Sequence, residues 1–300
     1  MGYEFNENKL IEIFILVDDF CKYLNEIKAE ELKKKSSTLK CGLSISEILT
    51  LLVFYHFSGY KCFQYYYQRM VLKNLGSYFP QAVSYKRFLS LIPKCFNHLH
   101  LLLQVQCLMA EKTGTYFVDS KKLPVCHNRR IHSNKVFKGI AKRGKSSTGW
   151  FYGFKIHLVI NELGQIVQFM ITTGNVQDNN HEVLKHLFKD LKGHCFGDKG
   201  YLSKLFQEFY QDGLKLVTKV KSNMKNKLME LTDRLWLLKR AVIESVNDIL
   251  MTVCDIDHTR HRSPVNALCH LLGGIIAYNF LDNKPSVHLP NWIKNENGFS

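Results

Sequence analysis

An α/β fold, with a mixed sheet flanked by helices and an all-helical domain before it, is predicted by three observations. Near Gly114 the apolar pattern changes from helical spacing to strand alternation. Beyond that point, runs of strand type are followed by strand and helix patterns in turn. The length of 300 residues suits two domains, and 46% apolar with 22% charged residues is the balance of a globular chain. The expected division is residues 1–110, helical, and 111–300, carrying the sheet.

The helical part reads in three segments. ENKLIEIFILVDDFCKYLNEIKAEELKKK has apolar residues at helical spacing and closes on lysines, which suit the negative end of the helix dipole. LSISEILTLLVFYHFSGYKCFQYYYQRM contains a capping box from Ser44 to Glu47 and a break at Ser58-Gly59. VSYKRFLSLIPKC is a third helix, expected to stop at Pro93.

In the second part, TYFVDS reads as a strand ending in Asp119. WFYGFKIHLVIN is a longer one, joined to GQIVQFMITTG by the turn Asn161 to Gly164. NNHEVLKHLFKDLKG is an amphipathic helix capped by Asp178, Asn179 or Asn180. HCFGD and LKLVTKV are short strands on either side of a helix from Tyr201 to Tyr210. DRLWLLKRAVIESVNDILM reads as one helix, with Asp233 near its start and apolar positions at 235, 238, 242, 246 and 249. A final apolar helix, Val265 to Phe280, is expected to close this domain. Between the first two strands lies KKLPVCHNRRIHSNKVFKGIAKRGKSSTG, whose length and Lys, Arg, Gly and Ser content suit a mobile loop beside the first strand, and no acid occurs from Ser120 to Asn161.

Composition excludes several classes. Nine cysteines without a CxxC pair suit reduced thiols and a cytoplasmic location. His98 with His100, and His258 with His261, lack the partners of a zinc site at ligand spacing. The amino terminus has no secretory pattern. The apolar runs Ile45 to Phe57 and Leu268 to Leu281 are shorter than the roughly 18 residues of a membrane span. The net charge of +15 is confined to Leu51–Asn161, which holds 17 Lys or Arg and two acids, while the remaining 24 basic and 24 acidic residues cancel. A concentration of one sign favours a polyanion, and nucleic acid is the expected partner. The two helical stretches on either side of Ser58-Gly59 then admit two readings. One is a DNA-reading helix-turn-helix presenting Lys61, Gln64, Gln68 and Arg69; the other is a plain hairpin with its tyrosines in the core.

Three acids stand where chemistry could use them: Asp119 after the first strand, Asp198 after HCFG, and Glu244 on the late helix. Gathered carboxylates repel unless a cation holds them. Mg²⁺ takes oxygen ligands and bridges carboxylate to phosphate, and two such ions can drive displacement at a phosphodiester. Each acid also has a plainer use. Asp119 could pair with Lys121 or Lys122, Asp198 could form a turn before Gly200, and Glu244 could pair with Arg240 at i,i+4.

YFVDSKKLPV, GFKIHLVIN followed by TTGNVQD, GDKGY, KRAVIES and HTRHRSPVNALCHLLGGIIAYNF together resemble a DDE transposase of the insertion-sequence type. The likeness is closest to the IS982 family within the group related to IS4 and IS5. It implies an RNase H-like catalytic domain, with Asp119, Asp198 and Glu244 as catalytic and metal-binding residues for two Mg²⁺ ions, Mn²⁺ serving as a substitute. In the related group a Tyr, Arg, Glu, Lys signature surrounds the last acid; here Arg240 and Glu244 keep their spacing, whereas Leu237 and Met251 replace the tyrosine and lysine.

The implied reaction is cleavage at the element's ends, exposing a 3′-OH that attacks target DNA. Partners would be double-stranded DNA, as terminal inverted repeats and target, and a second copy in a homodimer assembled on it. Lys121, Lys122, Arg129, Arg130, Lys135, Lys138, Lys142, Arg143, Lys145, Lys199 and Arg240 are the expected DNA contacts. Gly200 would permit a tight exit from Asp198. The same residues could serve a nuclease or resolvase that cleaves without joining, or an inactive DNA-binding descendant of a transposase.

Overall fold

A computed structural model describes residues 6–32, 42–201, 205–218, 229–258 and 260–287. Met1–Gln106 with Leu250–Leu281 form one compact unit, and Cys107–Ile249 with Asp282–Ser300 form another.

In the first unit α1 (Glu7–Leu32) packs on α2 (Ile45–Phe54). The lysine run Lys33–Lys35, expected to finish α1, lies outside the described residues. The capping box is present: Ser44 Oγ accepts from the Glu47 amide and the Glu47 carboxylate accepts from the Ser44 amide. Nearly all of α2 is buried, which accounts for its almost unbroken apolar sequence. After the break, α3 (Phe63–Tyr65) widens into a π-helical stretch, Tyr66–Asn74, ending with Leu75 N donating to Met70 O at 2.9 Å. Tyr66 and Tyr67 are fully buried while Lys61, Gln64, Gln68 and Arg69 are exposed. α4 (Tyr85–Leu91) ends two residues before Pro93, as expected of that proline. Pro93 lies in the first turn of a 3₁₀ segment, Ile92–Cys95, that runs into α5 (Phe96–Met109), and a missing N–H is harmless there.

The second unit holds a six-stranded mixed sheet. Its elements are β1 (Thr115–Cys126), β2 (Lys142–Ser146), β3 (Gly149–Asn161), β4 (Ile166–Thr173), α6 (His181–Leu187), β5 (Gly193–Gly197), α7 (Phe206–Gln211), β6 (Leu214–Thr218), α8 (Leu231–Lys239) and α9 (Ala241–Thr252). The order is β2-β3-β1-β5-β6, with β4 also paired to β3. Pairs among β1 to β4 are antiparallel and those of β5 with β1 and β6 are parallel. Alternation along β1 separates two cores. Tyr116 and Val118 join Val183, Leu184 and Leu187 of α6 and Phe209 of α7. On the opposite face Phe117 and Phe196 meet Trp236 of α8.

Four expectations need correction. β1 does not end at Asp119 but continues to Cys126, because β3 goes on pairing with it after β5 has left at Phe117. The acid-free connection is largely ordered backbone: the end of β1, a 3₁₀ turn at Asn128–Arg130, and β2 on the edge of β3. The late helix is two helices broken at Arg240, since α8 buries Trp236 and Leu237 while α9 buries Val242, Ile243, Val246 and Leu250; Leu238 is exposed. The last helix, α10 (Pro264–Asn279), groups with the first unit and packs on α2. The α6 cap is Asn180, whose Oδ1 accepts from Glu182 and Val183 amides. Lys219, Val220 and residues 202–204 of the expected Tyr201–Tyr210 helix lie outside the described residues. Among the described residues no helix is long and apolar enough to cross a membrane.

Gly197, the last residue of β5, lies close against β1. A Cβ there would lie 2.9 Å from Val118 Cγ1, inside contact distance. Gly197→Ala is therefore expected to cost about 1–3 kcal/mol, the usual price of overpacking, read as a lower urea midpoint at unchanged slope. An unchanged midpoint would show that the two strands separate there at no cost.

Candidate active site

The parallel register of β1 and β5 pairs Phe117 with Phe196. That is the last pair of the ladder; Asp119 on β1 and Asp198 after the end of β5 each lie two residues beyond it. Asp119 lies on the α8–α9 face of β1, and Asn247 Nδ2 of α9 donates to its Oδ2 at 3.0 Å. Lys121, two residues on and therefore on the same face, pairs with Asp248 at 3.3 Å. Glu244 stands one turn before Asn247 on α9, and Arg240 at the helix break pairs with Glu244 at 2.9 Å. The structure thus brings Asp119, Arg240 and Glu244 into one electrostatic neighbourhood.

Burial pushes the Asp119 carboxyl up to about 6. The Ser120 amide and Arg240 oppose that rise, and the negative charges of Glu244 and Asp178 reinforce it. Asp198 is exposed, its Oδ1 accepting from the Lys199 amide at 2.7 Å. Glu244 is exposed too. Among the described residues no three His, Cys, Asp or Glu side chains converge as they stand to hold a metal ion. All three candidate acids carry carboxylate oxygens, the ligand type of a hard divalent cation, and the most enclosed of them, Asp119, has no cation in salt-bridge contact among the described residues.

A fourth carboxylate escaped the sequence reading except as a cap. Asp178 Oδ1 accepts from Ser120 Oγ at 2.8 Å and from Lys155 Nζ at 3.0 Å. Ser120, His157 and Lys155 share one face because Ser120 pairs with His157 across β1 and β3. His157 is held below its ordinary range, first by burial and then by Lys155, with Asp178 opposing. A Cβ on Gly200 would lie 3.8 Å from Asp178 Oδ2, so this carboxylate adjoins both the residue after Asp119 and the turn after Asp198. The available signal was TTGNVQD, of which Asp178 is the last residue. Gly200 itself lies in a 3₁₀ turn, Lys199–Tyr201, without positive φ, so the tight exit expected of it needs no glycine.

The basic residues divide by environment. Lys121 and Arg240 are engaged with carboxylates, and Lys122 Nζ donates to Thr148 Oγ1 at 2.5 Å. Arg129, Arg130, Lys135, Lys138, Lys142, Arg143, Lys145 and Lys199 are exposed, with no carboxylate partner among the described residues. Lys142, Arg143 and Lys145 lie on the edge strand β2. There Arg143 and Lys145 sit 5.4 and 5.9 Å from the ring centre of the exposed Trp150, an aromatic that sequence reasoning passed over.

A mixed sheet flanked by helices, with an enclosed acid on its central strand and a second acid just after the end of the parallel neighbour, has the architecture of a DDE nuclease fold. The family model described as Transposase DDE domain matches residues 109–264. That is just over half of the 300 residues, and the chain belongs to this family. No curated protein and no solved structure gave a match.

Proposed function

We propose that this chain is an insertion-sequence transposase of the IS982 type that cuts DNA at the ends of its element and joins them to target DNA. The observation that carries the reading is Asp119: an enclosed carboxyl at the junction of β1, β5 and α9, within electrostatic reach of Glu244 and Arg240, inside a transposase DDE domain. Asp119, Asp198 and Glu244 would hold two Mg²⁺ ions, which when bound supply activation of the attacking hydroxyl and stabilisation of the leaving oxygen.

The chain's own residues do the rest. Asn247 fixes one oxygen of Asp119 and so orients the carboxylate. Lys199, next to Asp198, offers a point charge to a phosphate. The exposed cations of residues 129–145 bind the DNA backbone and hold the cleavable bond near the acids, with Trp150 as an apolar surface among them. Two ends must meet for joining, so a homodimer assembled on DNA belongs to the proposal, with the helical N-terminal region as a second DNA contact. The eight cysteines among the described residues are all free thiols, in keeping with a reducing cytoplasm.

The test is incubation of the purified protein with its gene and flanking DNA, in Mg²⁺ or EDTA, with mapping of cut and joined ends. Joined products that require Mg²⁺ and vanish in Asp198→Asn are expected. Cuts without joining would make it a nuclease, and tight binding without cuts in any divalent metal would make it a binding protein.

A further inference from the structure

The motif HTRHRSPVNAL, singled out in the sequence, has no role in the site described above. In the first unit it lines a cavity of about 490 Å³, within the range of small-ligand sites, roughly 300–1,000 Å³. One side is aromatic: Phe63 and Tyr85, ring centres 6.5 Å apart, both only partly buried. Arg260 and Arg262 line it as exposed cations without a carboxylate partner among the described residues. No acid lines the cavity; nearby Asp255 is occupied by Lys61 at 3.6 Å and His258 at 3.7 Å. Three lining residues carry enclosed polar atoms with no hydrogen-bond partner among the described residues: Tyr55 OH, His261 Nε2 and Asn266 Oδ1. Such atoms are costly unless something supplies the missing bond.

Flat aromatic rings, unpaired guanidinium groups and unsatisfied polar atoms around one small volume match the three parts of a nucleotide: base face, phosphate and base edge. We propose that this cavity receives a single unpaired nucleotide of a DNA strand, its base against Phe63 and Tyr85 and its phosphate on Arg260 and Arg262. Asn266 and Gln64, also in the lining, supply amides for the base edge. The proposal rests on the reading of the chain as a DNA-binding transposase.

The test measures binding of three labelled probes by fluorescence anisotropy to the full chain: a single-stranded hexathymidylate, an abasic hexamer of the same backbone, and a blunt duplex of about thirty base pairs. Because one stacked base contributes about 1–3 kcal/mol, Tyr85→Ala should weaken hexathymidylate binding roughly tenfold. Arg262→Gln should do likewise, and its exposure leaves packing undisturbed. Duplex affinity should stay within about twofold for both, since the duplex is expected on the basic edge strand. The abasic hexamer should bind the parent at least about tenfold less tightly than hexathymidylate. If both variants bind hexathymidylate like a parent that still binds duplex, the cavity assignment is wrong while the DNA reading stands. Equal binding of the abasic hexamer would reduce the cavity to a phosphate site and overturn the nucleotide assignment. A parent that binds no probe would remove the DNA reading and the cavity with it.

Discussion

Asp119→Asn is expected to abolish Mg²⁺-dependent cutting and joining while making the fold more stable at neutral pH. The loss of activity should reach about 10³-fold or more, because a cation held at the reacting phosphate contributes several kcal/mol and each 1.36 kcal/mol is a factor of ten. The gain in stability follows from burial. The Asp119 carboxyl titrates at about 6 in the fold and near 3.8 when unfolded. Its favourable contribution is therefore complete below the unfolded value and is lost as pH rises through the folded one. With allowance for solvent around a partly exposed group, the penalty at pH 7.5 is on the order of 1–2 kcal/mol. Asparagine carries no charge and escapes it.

In EDTA the variant should therefore melt a few degrees above the parent at pH 7.5 and equal it at pH 4. Mg²⁺ should raise the melting temperature of the parent and leave the variant unmoved. Two results would count against the assignment: retained activity in a folded variant, or equal Mg²⁺ stabilisation of both proteins. The paired readout matters because loss of activity alone would also follow from misfolding.

Neutralising the basic strand and its approach should have the second largest effect. Replacing Arg129, Arg130, Lys135, Lys138, Lys142, Arg143 and Lys145 by glutamine removes seven exposed cations without carboxylate partners among the described residues. Each phosphate contact contributes about 0.9 to the slope of log affinity against log salt, so the slope should fall by several units if most of them touch DNA. Affinity at about 0.1 M salt should drop by at least about 100-fold. Because these side chains are exposed and none is ion-paired to a described carboxylate, the melting temperature should hold. Titration of duplex binding across a range of salt decides the matter: an unchanged slope would move the DNA path to Lys61, Gln68 and Arg69 in the helical unit.

Much of the fold was legible because local rules govern it. The Ser44–Glu47 capping box, the β3–β4 hairpin about Asn161–Gly164 and the buried strand GHCFG all depend on residues within a few positions of one another. The elements that departed from expectation are those whose limits are set by distant partners. β1 continues past Asp119 because β3 is long enough to pair with it, and nothing within YFVDSKKLPV signals that length. The helix breaks at Arg240 because α8 must cover Phe117 and Phe196 while α9 must reach Asp119 and Lys121. An unbroken apolar periodicity cannot announce two separate burial directions. α10 groups with the first unit because it packs on α2, a pairing visible only once the two helices are set side by side.

The candidate site divides in the same way. By itself the sequence determined which side chains could carry the chemistry: Asp119, Asp198, Glu244 and a run of cations unbroken by acid, because ionisable groups and net charge are properties of composition and order. Only the tertiary structure decided that Asn247 holds Asp119 and that Asp178 adjoins both strand ends, whereas the Arg240–Glu244 pair, four residues apart in the chain, was legible from spacing alone. Hydrogen bonds and Coulomb forces act over a few ångströms, and residues 58 to 128 positions apart come within that range only when strand register and helix packing bring them there.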